Sequence, residues 1–380
     1  MGWNIKSKQL RISFFIPHAD GGVIRSTIPI ILGLKKSGYD VEMITLGRKS
    51  VMADEVEKIC KVIVINKNKS SLSIISLSNY LRTKKPNILI SVQHFANVSA
   101  LLSNFISGNK TKVIVTERSS INQSLNQINI LKKMIIKFLI YFLYPKSHGI
   151  ITNSFGIKEE LSNMIKNKNK QINVIYNPTY DPKIYSNTKE KIYPHKWFEN
   201  KKIPVIISVG RLSKEKNFEL LIKSFYKFRE KFNSKLVILG DGPEKKNLNE
   251  LINNLNLSKD CYLPGFVKNP YDYMKLSSLF ILTSHYEGLP NVLIEAQACE
   301  IPIISTDCKH GPKEILLDGK AGILVPVNNE KELIKAMIKI FTSPGLKEEF
   351  INISKKNLFR FDINESINQY KNIINETNKI

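Results

Sequence analysis

Short apolar runs alternate with amphipathic stretches along the whole of the 380-residue chain. The first unit contains the run "RISFFIP", the glycine-containing loop "HADGG" and the periodic stretch "VIRSTIPIILGLKKSG", and the apolar run "YDVEMITL" follows it. Strands that alternate with helices in this way are typical of parallel sheets covered by helices. The pattern therefore predicts an α/β fold.

The alternation stops once, after Tyr176, in a segment rich in Pro, Lys and Asn. Earlier strands are predicted at 87–92, 112–116, 149–153 and 172–176, and a second series contains "VIISVG", "KLVILG", "LFILTS", "IPIIST" and "GILVP". We expect two doubly wound domains, 1–180 and 204–363, a linker at 181–203, and a C-terminal helix at about 364–380 that packs back on the first domain. A cleft between the domains is the expected active site, because such sheets bind ligands at the carboxyl ends of their strands.

The composition is that of a folded protein, with 42% hydrophobic residues. Its four cysteines form no CxxC pair and have no histidine at zinc-binding spacing, so we expect reduced, buried thiols in a cytosolic protein: Cys60, Cys261, Cys299 and Cys308. The start of the chain lacks the cleavage site of an export signal, and no stretch reaches roughly 18 uncharged apolar residues. We expect a protein that is neither exported by that route nor integral to a membrane.

The formal net charge is +24, and residues 1–150 carry +15 of it. A charge of this kind suits an anionic partner, such as a membrane surface, a nucleic acid or a phosphorylated substrate, although a lysine-rich composition alone would also produce it. The sequence shows neither interleaved basic and aromatic residues nor a known nucleic-acid-binding module, so no nucleic-acid partner is expected.

The segment "NILKKMIIKFLIYFLYP" at 129–145 is apolar, with its lysines near the start. One interpretation is a helix buried against the first sheet and ended by Pro145. The other is an interfacial helix with its lysines at lipid headgroups and four apolar side chains in the lipid: Phe138, Ile140, Phe142 and Leu143. Both interpretations stay open, since one helix can do both.

The stretch "SVGRLSKEKNFELLI" at 208–222 places Arg211 and Lys216 between a strand and a helix, which Asn217 is predicted to cap. Free N–H donors at the helix start, beside a guanidinium and an ammonium, predict a phosphate site. For the turn in "ILGDGPEKK" we favour turn chemistry alone as the explanation, and Gly21–Gly22 is weak evidence for close approach of a ligand.

Two acids lie eight positions apart in "SHYEGLPNVLIEA" at 284–296. Glu287 is expected in a loop after a strand, and the helix that follows places Asn291 and Glu295 on one face. Paired carboxylates also serve retaining glycoside hydrolases, which need them about 5 Å apart. The nearby cationic loop favours a ligand that contains a diphosphate instead.

Together these motifs resemble the retaining glycosyltransferases of family 4. The resemblance rests on "GRLSKEKN", "GDGP", "EGLPNVLIE" and "TDCKHGPKEIL", with "ADGG", "TERSS" and "YNP" in the first half, in family order over nearly the whole chain. It implies an α/β fold of the GT-B type, in which two Rossmann-like domains face a central cleft.

The resemblance also implies roles for the residues that bind the donor. Arg211 and Lys216 would neutralise the departing nucleotide diphosphate. Glu295 would bind the ribose hydroxyls, and Glu287 would lie toward the donor sugar. The backbone between the two acids would bind the sugar and the β-phosphate, from Gly288, Leu289, Pro290, Asn291 and Val292.

Other matches lie outside this stretch. Gly22 resembles the glycine that closes over the phosphate, and Val267 ends the "LPGFV" turn where the base would lie. His94 resembles a histidine near the reacting face of the donor sugar. The pair Glu117–Arg118 implies a sugar or anion contact on the acceptor side.

The version "DCKHGPKEIL" is most similar to bacterial transferases that assemble capsule, O-antigen or protein glycans. It implies transfer, with retention, of galactose or an N-acetylhexosamine from a UDP-sugar to a glycan that is free or linked to polyprenyl diphosphate. No cofactor or metal ion is expected, because no DxD-type cluster is placed to hold one. An anionic membrane surface is an expected partner, with a cytoplasmic location on the inner face of the cell membrane. A GT-B-like sugar-nucleotide epimerase and a retaining glycoside hydrolase are the alternatives.

Overall fold

The computed structural model describes residues 9–18, 21–47, 53–126, 128–182, 194–199 and 202–379. Within it the chain forms two compact units, residues 1–178 with 361–380 and residues 179–360. The first eight residues, Asp20 of the "HADGG" loop and most of the predicted linker lie outside the described residues.

The N-terminal unit is built on a seven-stranded parallel sheet with the order β3-β2-β1-β4-β5-β6-β7. Its strands are β1 Arg11–Phe15, β2 Asp40–Thr45, β3 Lys61–Val64, β4 Ile88–Val92, β5 Lys112–Glu117, β6 Gly149–Thr152 and β7 Asn173–Val174. Its helices are Gly21–Lys36, Ala53–Glu57, Ile74–Lys84, His94–Ile106, Ile121–Leu125, Ile130–Leu143, Phe155–Met164 and Ile363–Lys379. The strand order reverses between β1 and β4, which is the position where doubly wound sheets bind ligands.

The second unit repeats this topology with six parallel strands in the order β10-β9-β8-β11-β12-β13. They are β8 Val205–Val209, β9 Lys235–Leu239, β10 Cys261–Gly265, β11 Leu279–Leu282, β12 Ile303–Thr306 and β13 Ile323–Val325. The helices are Phe218–Arg229, Lys245–Asn254, Tyr271–Leu276, Asn291–Ala298, Pro312–Ile315, Glu330–Thr342 and Leu346–Asn357. Here the order reverses between β8 and β11. The predicted α/β class, with two doubly wound sheets, is confirmed.

The C-terminal helix Ile363–Lys379 packs in the N-terminal unit, where Tyr370 and Ile374 are buried in the core. A Cβ at Gly33 would lie only 2.3 Å from Cδ1 of Ile367. The helix Gly21–Lys36 therefore needs a glycine at that point for the two helices to approach each other.

Two edge strands, β3 and β10, were not predicted from the pattern. The residues Leu263–Gly265, which we interpreted as part of a turn, belong to β10, and the register of β10 against β9 shifts between Tyr262 and Gly265. The proline and glycine in β10 make it difficult to recognise as a strand from the sequence, because both residues are uncommon inside strands.

The helix Ile130–Leu143 is capped by Asn129, whose side chain accepts a hydrogen bond from the Lys132 N–H. Ile140 is fully buried and Leu143, which is partly buried, packs on the core, so these two side chains fit the interpretation of a buried helix. Phe138 points outward, as the interfacial interpretation requires, and is 61% exposed. The helix is therefore apolar on both sides: the side with Ile140 packs on the core, and the side with Phe138 is exposed. No helix among the described residues is both long and apolar enough to cross a membrane.

Candidate functional site

Two loops meet where the strand order of the second sheet reverses. The loop after β8 contains Glu215 and Lys216, and the loop after β11 begins with Thr283. The Thr283 hydroxyl donates to the Lys216 carbonyl at 3.0 Å, and the His285 N–H donates to the Glu215 carbonyl at 2.8 Å. These bonds hold together the two loops that carry most of the predicted donor-binding residues.

A half-buried ion pair joins the loops at their centre. Lys216 Nζ lies 2.5 Å from Glu287 Oε1, and the Ser284 hydroxyl donates to the same oxygen at 2.7 Å. Burial alone lowers the pKa of the Lys216 ammonium, but the charge and hydrogen bond of Glu287 outweigh it, so the pKa is raised above its ordinary value. The lysine therefore stays protonated, and its charge faces the Glu287 carboxylate.

Arg211 lies on the same loop as Lys216 but is exposed. The loop is held by hydrogen bonds from the Leu212 N–H to the Asp241 carbonyl at 2.9 Å and from the Glu244 N–H to the Leu212 carbonyl at 2.9 Å. No acidic side chain in the described part of the chain forms an ion pair with its guanidinium. An exposed, unpaired guanidinium can bind an anion without breaking an internal contact.

The turn after β9 packs directly under the Arg211 loop. Gly240 has φ +144°, and a Cβ on it would lie 1.8 Å from the Gly210 carbonyl oxygen. A Cβ on Gly242 would lie 2.3 Å from the Leu212 carbonyl oxygen. Turn chemistry alone does not explain these glycines: they let one loop of the site rest on the other.

Gly240→Ala is therefore expected to destabilise the second unit by at least about 2 kcal/mol, because the added methyl overlaps a carbonyl oxygen in a backbone conformation that L residues avoid. Urea unfolding measures the loss. Gly22→Ala is the matched control, since a Cβ there would have open space around it. An equal loss of stability in the two variants would contradict the steric explanation.

The predicted helix after the second loop spans Asn291–Ala298, directly after Pro290. Asn291 and Glu295 lie on one face and are partly exposed, whereas Leu293 and Ile294 are buried. Gly288, Leu289 and Pro290 are buried, and Val292 is partly exposed. Glu295 is thus positioned one turn into the helix, as predicted, and its contact with a ribose remains a prediction.

Gly311 packs against the site although its sequence context assigns it no role there. It has φ +87°, and a Cβ there would lie 2.5 Å from Pro290 Cδ and 2.7 Å from the Gly288 carbonyl oxygen. The only sign of it in the sequence is its place in "KHGPKE", directly before the short helix Pro312–Ile315. Gly311 supports the buried backbone of the "EGLP" loop.

Three predictions, one for a helix cap and two for ligand contacts, have less support from the local structure. Asn217 adopts a left-handed conformation (φ +48°) and makes no capping bond; its amide donates to Asn328 Oδ1 at 3.0 Å instead, so the predicted cap is wrong. Val267 lies beyond the end of β10 and is partly exposed. Gly22 lies exposed in the first turn of the helix Gly21–Lys36, with no described atom close to its Cβ position.

In the N-terminal unit, His94 begins a helix at the end of β4, at the point where the strand order reverses. The preceding Gln93 has φ +77°. The imidazole is 2% exposed, with Nε2 at 3.2 Å from Ser124 Oγ and Nδ1 at 3.8 Å from Glu117 Oε2. Neither His94 Nδ1 nor Glu117 Oε2 has a hydrogen-bond partner among the described residues.

Glu117 and Arg118 both point into the unit. Glu117 is fully buried, and its Oε1 accepts hydrogen bonds from the Asn97 amide at 2.8 Å and from the Tyr144 hydroxyl. Burial first, and then the Glu117 carboxylate, raise the pKa of Tyr144 well above its ordinary value. Arg118 donates to the Tyr370 hydroxyl at 3.2 Å. Both residues therefore have internal partners, and the Glu117 carboxylate is not exposed for the predicted acceptor contact.

Two family models match the chain. "Glycosyltransferase Family 4" covers residues 20–179 and "Glycosyl transferases group 1" covers residues 189–357. An uncharacterized glycosyltransferase of Methanocaldococcus jannaschii is 34% identical over 335 residues, which cover 78% of this chain and 81% of the relative. This chain belongs to the family 4 type of glycosyltransferases.

Another relative of this glycosyltransferase comes from Campylobacter jejuni and is 36% identical over 268 residues, which cover 70% of each chain. It is named N-acetylgalactosamine-N,N'-diacetylbacillosaminyl-diphospho-undecaprenol 4-alpha-N-acetylgalactosaminyltransferase. Among solved structures, Anabaena HepE in complex with UDP and glucose aligns with a TM-score of 0.82 at 17% identity, covering 97% of this chain and 100% of HepE. That likeness confirms the predicted GT-B fold.

Proposed function

We propose that this glycosyltransferase moves a sugar, galactose or an N-acetylhexosamine, from a UDP-sugar to a glycan carried on polyprenyl diphosphate. The product would serve bacterial surface polysaccharide or glycoprotein glycan synthesis. One observation carries the proposal: the Lys216–Glu287 pair joins two loops where the strand order reverses, beside the exposed Arg211. The names of the Campylobacter and Anabaena proteins support the acceptor and the nucleotide, respectively.

The proposed reaction exchanges one C–O bond for another at the anomeric carbon. The bond to the β-phosphate oxygen breaks, the acceptor oxygen bonds to the same face, and its proton passes to the departing diphosphate. Arg211 and Lys216 would stabilise the charge that develops on this leaving group. Retention fits the α linkage in the Campylobacter relative's name, since UDP-N-acetylhexosamines carry their sugar in α linkage.

The state of Glu287 argues against the glycoside hydrolase alternative. Its Oε1 accepts hydrogen bonds from both Lys216 and Ser284, and only 11% of its side chain is exposed. Two donors that occupy the lone pairs of one carboxylate oxygen make that oxygen a weaker nucleophile. It is better suited to orienting a sugar hydroxyl, which is the role that we propose for it.

The proposed mechanism uses protein cations in place of a metal ion. Among the described residues, no three His, Cys, Asp or Glu side chains lie close enough to bind one together. We expect transfer to continue in excess EDTA, because Arg211 and Lys216 provide the positive charge. Loss of turnover in EDTA that Mg²⁺ or Mn²⁺ restores would contradict this part of the proposal.

Thermal shift with UDP-, GDP- and ADP-sugars tests the donor, since ligand binding raises the unfolding temperature. We expect stabilisation by a UDP-sugar, and UDP release that requires a glycan acceptor. Conversion of the UDP-sugar without an acceptor would instead establish an epimerase. Release of sugar from a glycan without any nucleotide would establish a hydrolase.

We place the reaction at the cytoplasmic side of the membrane, where UDP-sugars are made. The four cysteines are free and buried in the structure, which suits a reducing compartment. Burial raises the pKa of Cys60 to about 11 and those of Cys299 and Cys308 to about 12. Such thiols are unreactive and serve as core side chains.

A further inference from the structure

The helix Ile130–Leu143 leaves an unusually large apolar face uncovered. Seven of its large apolar side chains are between 36% and 76% exposed: Ile130, Leu131, Met134, Ile135, Phe138, Tyr141 and Phe142. Monomeric proteins rarely expose contiguous apolar patches of more than a few hundred Å², and larger ones mark interaction surfaces. We call these seven side chains the outer face of the helix.

The lysines of this helix lie at the edge of the outer face. At about 100° per residue, the seven side chains fill one arc of about 140° that contains no polar residue. Ile136, Leu139 and Ile140 lie on the opposite side, against the core. Lys137 and Lys133 lie about 20° and 60° beyond one end of this arc, and Lys132 lies about 60° beyond the other end. An apolar arc bordered by lysines is the arrangement of helices that lie in a membrane interface.

A neighbouring helix also ends in exposed apolar side chains. At the end of the neighbouring helix His94–Ile106, Phe105 is 70% and Ile106 is 51% exposed. Beside the outer face itself, a groove of about 430 Å³ is lined by Phe138, Tyr141, Phe142 and Met164, with Lys137 and Asn163 at its wall. This groove can receive an apolar chain.

The charge of this part of the chain favours an anionic partner. Residues 58–164 contain fifteen Lys or Arg and three acids. Glu117 and Glu160 are buried, so Glu159 is the one exposed acid among them. Anionic lipid headgroups attract lysines near a surface, and the outer face would lie among the acyl chains below them.

We infer that the outer face docks the enzyme on an anionic lipid bilayer, with Lys133 and Lys137 at the headgroups. Fourteen residues rise about 21 Å, which is too short to cross about 30 Å of hydrocarbon but long enough to lie in its plane. Docking would bring the enzyme to an acceptor held in the same membrane. In that respect the inference rests on the proposed function, although vesicle binding itself does not require it.

Co-sedimentation of the full chain with phosphatidylcholine vesicles, with or without phosphatidylglycerol, tests the inference. We expect strong binding only to the anionic vesicles, and weaker binding at high salt. Met134→Glu/Phe138→Glu is expected to lower vesicle binding at least about tenfold, because two inserted apolar side chains are lost. Each of Lys133→Gln and Lys137→Gln is expected to lower it roughly fivefold. Phe359→Glu is the matched control, since Phe359 is 67% exposed elsewhere on the chain.

Equal binding to neutral and anionic vesicles, or unchanged binding by the Met134/Phe138 variant, would overturn the inference. So would wild-type dimers in analytical ultracentrifugation that dissociate in this variant, because the outer face would then be a contact between copies. Transfer to a water-soluble acceptor analogue should be unchanged in the variant. If no acceptor is glycosylated but anionic vesicles are bound, the proposed function fails and the docking surface stands.

Discussion

Arg211→Ala is expected to lower kcat/KM for sugar transfer by about 10²- to 10³-fold, the loss typical of removing one donor that stabilises charge in a transition state. Its guanidinium is exposed and has no internal acidic partner among the described residues, so the fold should not depend on it. The unfolding temperature is therefore expected to stay within a degree or two of the wild-type value. Initial rates of UDP release and a thermal melt together measure both quantities.

Lys214→Ala is the matched control for this prediction. Lys214 lies on the same loop, carries the same charge and is also exposed, but the family motif assigns it no contact. A general electrostatic effect of the loop would make the two variants equally slow. Only a positioned contact with the diphosphate predicts a large loss in one and a small loss in the other.

The position of the loop that carries Arg211 could be predicted from the sequence, because it follows from the fold. Both sheets are parallel, and their inner strands are continuous apolar runs such as "LFIL" in β11, all of it buried. Once those strands are placed, the loops at their carboxyl ends must lie on one edge of the sheet. Arg211 and Glu287 could therefore be assigned to neighbouring loops from the order of elements alone.

The direction of buried polar side chains could not be predicted in the same way. Glu117 follows an apolar run, which is typical of an acid in an exposed loop. In the structure its side chain is buried and accepts hydrogen bonds from Asn97 and Tyr144. Those partners are distant in sequence, so no local pattern reveals them. Three-dimensional packing made Glu117 a neighbour of His94 instead of an exposed ligand.

The helix Ile130–Leu143 shows the same limit for apolar residues. Both of its sides are apolar, so periodicity could not tell which one packs on the sheet. The glycines at 240 and 311 were also invisible as site residues, because their importance comes from contacts with carbonyl oxygens of other loops. Sequence patterns identify the elements, whereas contacts between loops decide the site.

Lys216→Met is expected to have two effects, one on catalysis and one on folding. Removing its charge from the departing diphosphate should lower kcat by about 10²- to 10³-fold. The substitution also removes the cation that faces the Glu287 carboxylate, and the Glu287 side chain is only 11% exposed in the wild type. We expect a loss of about 2 to 3 kcal/mol in the free energy of unfolding, less than the roughly 3–5 kcal/mol of a fully buried pair because both side chains keep some exposure to solvent.

The double variant Lys216→Met/Glu287→Gln separates the two effects. A neutral amide removes the unpaired charge and can still accept from Ser284, so most of the lost stability should return in urea unfolding. The pKa of Lys216 is raised, so its charge and the pair's contribution are present at neutral pH and are lost only as the pH rises through that folded-state pKa. Sugar transfer should not recover, because the charge on the leaving group still has no lysine beside it. Recovery of both would mean that Lys216 serves only to fold the loop, and recovery of neither would mean that Glu287 is not its partner.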